Sequence, residues 1–440
     1  MNNNLFMKKI SKNCIPASMI WLFGVVAFTQ VTFIPIYVYY LSFFSLVGTL
    51  FLYSLSQNVR IDKNLTAYFS LFLSCFFIGV VSYPISIVIE KRFNYSDMQV
   101  FGRMINLALL FIVFILIHSF HRKTGEILQD YFLVIRAYQL GIFIVMLIGA
   151  WQFISFYSSI PFPFETRSHL HSTYGSNYSF SQRLTSVARE PSFFVMLAID
   201  FIGLSLLFYS GLKRKSMVAL GLVMVVFSLS PSGFITLIGA AVAAWGFSEI
   251  KYFSGKIKIK KIVFFIIGAA IFSVFILMNE QIFEYIYGRI FNAAPSNSGR
   301  FYMIVMPYLW SIEGSLFNIL FGYGVKSYSI IGSYYSLPSG VPVHITSNNI
   351  YTDIFWESGL IGFMLLISFF VLVFVRIFRS KIGKTCTFIA FYFIFEIMFS
   401  SLFRADYSSA RFFIILYTIY LITESPIIRR RHSENSCNYT

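Results

Sequence analysis

Charged side chains are scarce in this chain. Asp, Glu, Lys and Arg together supply 12% of its 440 residues, roughly half of what a soluble globular domain carries. A protein so poor in charge could not cover its own surface with water-compatible groups, so lipid must solvate much of it. Acidic groups are the rarer sign, 18 against 34 Lys and Arg. No D-x-D pattern or outward carboxylate cluster suggests a metal site. Cysteine is confined to Cys14, Cys75, Cys386 and Cys437, whose scatter supports neither a disulfide framework nor a zinc site. No internal repeat and no separate soluble domain is visible, and residues 1–440 read as a single membrane domain. A cleaved signal peptide is not expected either. Lys8, Lys9 and Lys12 precede an apolar run, but it extends from Ile15 beyond Phe51 and no A-x-A-like site closes it.

What the chain does have is apolar surface: 57% of its residues are hydrophobic and 20% aromatic. The aromatics suit a lipid-facing surface and its interfacial belts. A spanning helix needs roughly 20 mostly apolar residues, which predicts about twelve transmembrane helices in an all-α polytopic membrane protein. They fall near 15–31, 34–56, 65–88, 101–119, 131–154, 191–210, 216–230, 233–249, 262–279, 350–377, 385–403 and 410–426. A tight turn is expected near Gln30, and another where Pro231 and Gly233 punctuate the apolar pattern.

The net charge of +16 does not point to nucleic acid, because the basic residues lie in short clusters between apolar runs. They are Lys8 to Lys12, Arg60 and Lys63, Arg122 and Lys123, Lys213 to Lys215, Lys251 to Lys261, Arg376 to Lys384, and Arg429 to Arg431. Together they place roughly two-thirds of the Lys and Arg on one side, which the positive-inside rule makes cytoplasmic along with both termini. The opposite face carries two long loops, 155–190 and 280–349. Loops of that length are usually functional or disordered, and Tyr302, Tyr308, Trp310, Phe321 and Tyr323 favour function. The second loop is expected to hold surface helices such as Gly299 to Ile312.

Several arginines sit on the side the rule disfavours: Arg167, Arg183, Arg189, Arg289 and Arg300, with Arg404 and Arg411 at the last outward turn. The planar guanidinium fork matches phosphate and stays charged, so these residues suggest an anionic ligand at the outer surface. Headgroup contacts, or ion pairs with Glu165, Glu190, Glu284 and Glu313, are the competing explanation. Inside the spans, Asp200, Glu396 and Arg136 are either interhelical pairs, for instance Arg136 with a carboxylate, or parts of a proton or ion path. His169 and His171 lack a third ligand, and His118, His121 and His432 fall on the cytoplasmic side.

Four segments sharpen the outward face. R-L-T-S-V-A-R-E-P-S (Arg183 to Ser192) leads into a span, with Pro191 in the first turn and Glu190 at the positive helix end. S-G-R-F-Y (Ser298 to Tyr302) is followed by Trp310. F-G-Y-G (Phe321 to Gly324) has glycines that permit a tight loop. H-I-T-S-N-N-I-Y-T-D-I-F-W-E-S-G-L-I-G (His344 to Gly362) runs from the long loop into a span.

In this order and on this side of the membrane, these motifs resemble the bacterial O-antigen polymerase family (Wzy-type), related to the O-antigen ligases. The likeness rests on the arginine before the E-P-S helix start, Arg300, the Gly322–Gly324 turn, and His344, Asn348, Asn349, Glu357, Gly359 and Gly362. It covers about 183–362 by motif and the remainder by topology. One departure is Ser230-Pro231-Ser232-Gly233, where relatives often carry S-x-S-R. The resemblance implies a membrane-embedded (GT-C-like), inverting, metal-independent glycosyltransferase without cofactor, in the bacterial inner membrane with its active loops periplasmic. Its donor would be an undecaprenyl-diphosphate-linked oligosaccharide, and a chain-length regulator and a flippase would be partners. Arg183, Arg189 and Arg300 would bind the diphosphate, His344 or Glu190 would serve as base, and Asn348, Asn349, Gly322 and Gly324 would position acceptor or loop. A ligase and a lipid-linked oligosaccharide flippase are the alternatives.

Overall fold

The computed structural model describes residues 15–28, 36–57, 61–89, 99–124, 131–164, 183–188, 190–252, 299–328 and 347–424. Outside them lie the candidate span 262–279, the turn near Gln30, Arg60, the basic clusters beyond Tyr252 and at both termini, and most of both long loops. Arg167, His169, His171, Arg189, Arg289, His344, His432, Cys14 and Cys437 also fall outside.

All regular structure among the described residues is helical. In chain order the helices are α1 (Ile15–Phe28), α2 (Ile36–Gln57), α3 (Lys63–Ile89), α4 (Gln99–Thr124), α5 (Leu133–Tyr157), α6 (Pro191–Phe208) and α7 (Gly211–Ser228). They continue with α8 (Pro231–Lys251), α9 (Gly299–Ile312), α10 (Leu316–Phe321), α11 (Ile350–Arg379), α12 (Lys384–Ser400) and α13 (Ala410–Glu424). A helix stands at each expected span that is described. Only six, within α3, α4, α5, α6, α8 and α11, are both long and apolar enough to cross a membrane by length and composition. The others fall short for local reasons. α7 begins with Lys213, Arg214 and Lys215, while α12 and α13 have 17 and 15 residues.

The helices pack as α12 on α8, α3 on α11, and α6 on α7. Aromatic rings do much of this packing, in addition to those that remain exposed on the outer faces of the helices. Phe72 and Phe76 of α3 stack on Phe412 and on Tyr407 at centroid distances of 5.3 and 4.8 Å, and Phe69 stacks on Phe413 at 5.4 Å. Lipid tails are as apolar as Leu, so association of such helices rests on close packing rather than on water exclusion. Ring pairs add about 0.5–1.5 kcal/mol each. The disulfide expectation also needs amending. Cys75 is a buried free thiol, but Cys386 is disulfide-bonded, its partner lying outside the described residues. Positions far apart in sequence give no sign of which helix ends meet.

Helix ends expected on one side do gather. Asp62, just before α3, meets the end of α4 through Arg122 (3.1 Å) and His118 (3.5 Å). Lys251 at the end of α8 donates to Ile377 O and Ser380 O at the end of α11, both at 2.7 Å. Burial opposes the Asp62 charge, but N–H donation from Leu65 and Asn64 and the fields of His118 and Arg122 outweigh it and hold the carboxyl below its ordinary value. A depressed folded-state pKa stabilises the fold above the unfolded value of about 3.9, and that stabilisation is lost as pH falls through the folded value. Thermal melts in detergent between pH 6 and pH 3 should therefore show a downward step for wild type. Asp62→Asn should lack that step and melt lower at pH 6.

Candidate functional site

Several described segments that the sequence assigns to the outer face come together at other helix ends. The stretch 183–188 is irregular yet buried, so its backbone polar groups must be satisfied inside the protein. Gln152 of α5 does this: its Oε1 accepts from the backbone N–H of Thr185 (2.9 Å) and of Ser186 (2.7 Å), and its Nε2 donates to Thr185 Oγ1 (3.0 Å). Arg183 reaches the turn between α7 and α8, donating to Ser228 O (3.3 Å) and Leu229 O (3.0 Å). These are carbonyls that the end of α7 would otherwise leave open. The hairpin that lacks its own arginine thus receives one from a distant segment. Glu190 is the N-cap residue of α6 with Pro191 in the first turn, as expected. Its carboxylate does not cap the helix but accepts from Ser192 Oγ at 3.0 Å.

The F-G-Y-G and E-S-G-L-I-G motifs prove to be two halves of one device. α11 is broken at Gly359, whose φ of 65° and ψ of −166° are not helical. A break inside an apolar helix orphans carbonyls, and the glycine turn answers them. Tyr323 N–H donates to Trp356 O (2.9 Å) and Gly324 N–H to Glu357 O (3.0 Å), while Val325 N–H reaches Gly79 O of α3 (3.1 Å). Gly322, at φ 81°, lies so close that a Cβ there would stand 2.4 Å from Glu357 C and Ser358 N. The turn, α3 and the broken helix are thereby locked together.

Two buried ionic knots complete this end. In the first, Arg103 of α4 donates to Glu357 Oε1 of α11 and to the Tyr407 hydroxyl, and Lys326 N–H donates to the same Glu357 oxygen at 3.0 Å. Glu357 Oε2 is buried without a hydrogen-bond partner among the described residues. In the second, Arg411 of α13 faces three carboxylates. It makes a two-pronged contact with Asp200 of α6 (2.8 and 3.0 Å), and it also bonds Glu396 of α12 and Asp406 Oδ2 (2.9 Å). Tyr138 of α5 donates to Asp200 at 2.6 Å. The turn between α12 and α13 serves both, sending Asp406 into one knot and Tyr407 into the other. Tyr407 is fully enclosed, and burial pushes its hydroxyl well up, so it stays protonated.

Arg404 lies in the same turn, 7% exposed. Its guanidinium sits 3.6 Å from the centroid of the Phe193 ring, and Nη1 donates to Ser192 O at 3.4 Å. Burial pulls its pKa down to about 10.

The interhelical-pairing expectation for Asp200 and Glu396 holds, but with Arg411 rather than Arg136. Arg136 packs its guanidinium over Phe208 at 5.3 Å and makes no ion pair among the described residues. Of the residues singled out by sequence, Arg300 stands in the first turn of α9, and α9 packs on the start of α11 through Tyr308 against Phe355 at 4.7 Å. Asn349 caps α11, accepting from Thr352 N–H (3.1 Å) and donating to Leu402 O (3.1 Å). Asn348 is exposed with φ 55°. Arg189 and His344 lie outside the described residues. Sequence reasoning missed Arg103, Tyr407 and Gln152. A polar or charged residue within an otherwise apolar run was the available signal for Arg103 and Gln152.

An apolar helical assembly with its ionisable groups drawn inward is that of a polytopic membrane protein. Residues 216–367, from within α7 to just beyond the break in α11, match the O-antigen ligase family model, so this part of the chain is similar to that family. The match supports a surface-polysaccharide-related enzyme. No curated protein matches the chain.

Proposed function

We propose that the protein is an O-antigen, or related surface-polysaccharide, polymerase. It joins undecaprenyl-diphosphate-linked oligosaccharide repeats at the periplasmic face of the bacterial inner membrane, with both termini cytoplasmic. The family match across 216–367 supports a surface-polysaccharide enzyme, polymerase and ligase alike, and the matched run contains Arg300, Gly322, Gly324, His344, Asn348, Asn349 and Glu357. The acceptor sugar hydroxyl attacks the anomeric carbon of the growing chain and the bond to the donor diphosphate breaks with inversion. The diphosphate leaves with the electron pair, and the hydroxyl proton passes to a base, His344 or Glu190. Charge gathers on the leaving diphosphate, so Arg300, with Arg183 and Arg189, is assigned to stabilise it without a metal. A chain-length regulator and a flippase are proposed partners.

Removing such a donor costs about 10²–10³ in turnover. Arg300→Ala and His344→Ala should each abolish chain extension at unchanged protein level, read on a glycan gel. Long polymer from both variants would show the assignment to be wrong. Deletion of the gene distinguishes the ligase: single repeats remain on the lipid A core if a polymerase is lost, and none if a ligase is lost. The buried Arg411 knot favours a second reading, a lipid-linked oligosaccharide flippase, since transporters keep ionisable groups within the membrane. Reconstitution separates the two, because a pure flippase moves the lipid and forms no glycosidic bond.

A further inference from the structure

The buried cations of the outer end are matched unequally. Arg103 is spent on Glu357 and Tyr407, and Arg411 on Asp200, Glu396 and Asp406. Arg404 has no carboxylate within ion-pair distance among the described residues, although it is nine-tenths buried. Only Nη1 finds an acceptor, Ser192 O at the long distance of 3.4 Å, which leaves Nε and Nη2 without one among the described residues. A guanidinium has five N–H donors, and the fields of Asp406, Glu190 and Asp200 favour the Arg404 charge without any of them pairing with it directly. The ring of Phe193 fixes one face of the group, so the unused donors point along the guanidinium plane. Of the acids whose fields reach Arg404, Asp200 and Asp406 turn their bonded oxygens toward Arg411, and Glu190 accepts from Ser192 Oγ.

Arg404 also stands at the start of α6, where Pro191 occupies the first turn and the positive end of the helix macrodipole lies. A planar donor fork beside a helix N-terminus is suited to an oxyanion of phosphate type. We infer that Arg404 is a further phosphate ligand of the donor, gripping the lipid diphosphate beside the Glu190–Ser192 helix start. This assignment rests on the polymerase reading, and it extends the site beyond the segment matched by the family model to the turn between α12 and α13.

The test uses the full-length protein in lipid nanodiscs, with undecaprenyl diphosphate as probe and undecaprenyl monophosphate and inorganic pyrophosphate as competitors. Wild type should bind the lipid diphosphate more tightly than the monophosphate. Arg404→Gln should weaken that binding about ten-fold or more at unchanged melting temperature, and Arg404→Lys should restore part of it, since Lys keeps the charge without the fork. Competition by inorganic pyrophosphate would support the assignment and locate recognition in the headgroup alone. Equal affinity of Arg404→Gln and wild type would overturn it. So would a loss of affinity that tracks a lowered melting temperature and is fully repaired by Lys, which marks a structural role. Failure of wild type itself to bind any lipid diphosphate would bring down the polymerase reading along with it.

Discussion

Arg411→Ala should yield little or no folded protein. The substitution strands the carboxylates of Asp200, Glu396 and Asp406, whose side chains are 0%, 0% and 7% exposed. Breaking a buried pair by removing one partner costs about 3–5 kcal/mol, a large part of a typical stability of about 5–15 kcal/mol. Here three acids lose the same cation. The measurement is the monodisperse fraction after detergent extraction, followed by the melting temperature of what remains. Asp200→Asn, Glu396→Gln and Asp406→Asn together in the Arg411→Met background should recover folded protein, because neutral groups of similar shape carry no stranded charge. Arg122→Ala is the contrasting case. Its side chain is 58% exposed, and an exposed pair contributes about 1 kcal/mol or less, so its melt should barely move. A well-folded Arg411→Ala protein would mean that the three acids are not held as described.

Gly322→Ala and Gly359→Ala should be nearly as damaging, for a steric reason. Each residue has positive φ, 81° and 65°, which L side chains adopt reluctantly. Space is also absent: a Cβ on Gly322 meets Glu357 C at 2.4 Å, and one on Gly359 meets Leu320 C at 2.3 Å. Both obstacles are backbone, so no side-chain rotation relieves the clash. The hydrogen bonds from Tyr323 and Gly324 to the broken helix would be lost with the close approach. Gly48→Ala and Gly246→Ala provide the control. They lie within helices with nothing inside 4 Å of the added carbon, where Ala is favoured over Gly by about 1 kcal/mol. Melting temperatures should fall steeply for the first pair and hold or rise for the second. Equal behaviour of the two pairs would refute the interlock between the turn and α11.

The parts of this architecture that follow local rules were legible in the chain. Apolar runs located the helices, Pro191 and Pro231 marked helix starts, and the glycines of F-G-Y-G announced a tight turn. The helix over Gly299–Ile312 was also anticipated. What stayed hidden depends on contacts between distant segments. Nothing near Gly359 says that α11 breaks there, because the compensating N–H groups come from residues 323 and 324. Arg136 was the partner the sequence offered for a carboxylate, whereas Arg411, read there as an outward arginine, is the one that helix packing brings to Asp200. Gln152 was not singled out in α5, whereas its amide is the anchor of the segment that carries Arg183. Aromatic residues were read as lipid-facing because composition reports abundance and not which face of a helix a ring occupies.

Asp406 and Tyr407 are sequence neighbours, yet one is bound to the Arg411 assembly and the other to Arg103 and, through it, Glu357. Their α-carbons are separated by a single rigid peptide unit of about 3.8 Å. The pair α4 and α11 and the trio α6, α12 and α13, which also touch where α11 packs on α12 and α4 on α13, are therefore tied ionically through one amide plane. Any rocking that opens a path for lipid between them must either carry both assemblies along as a unit or uncouple one of them at that hinge.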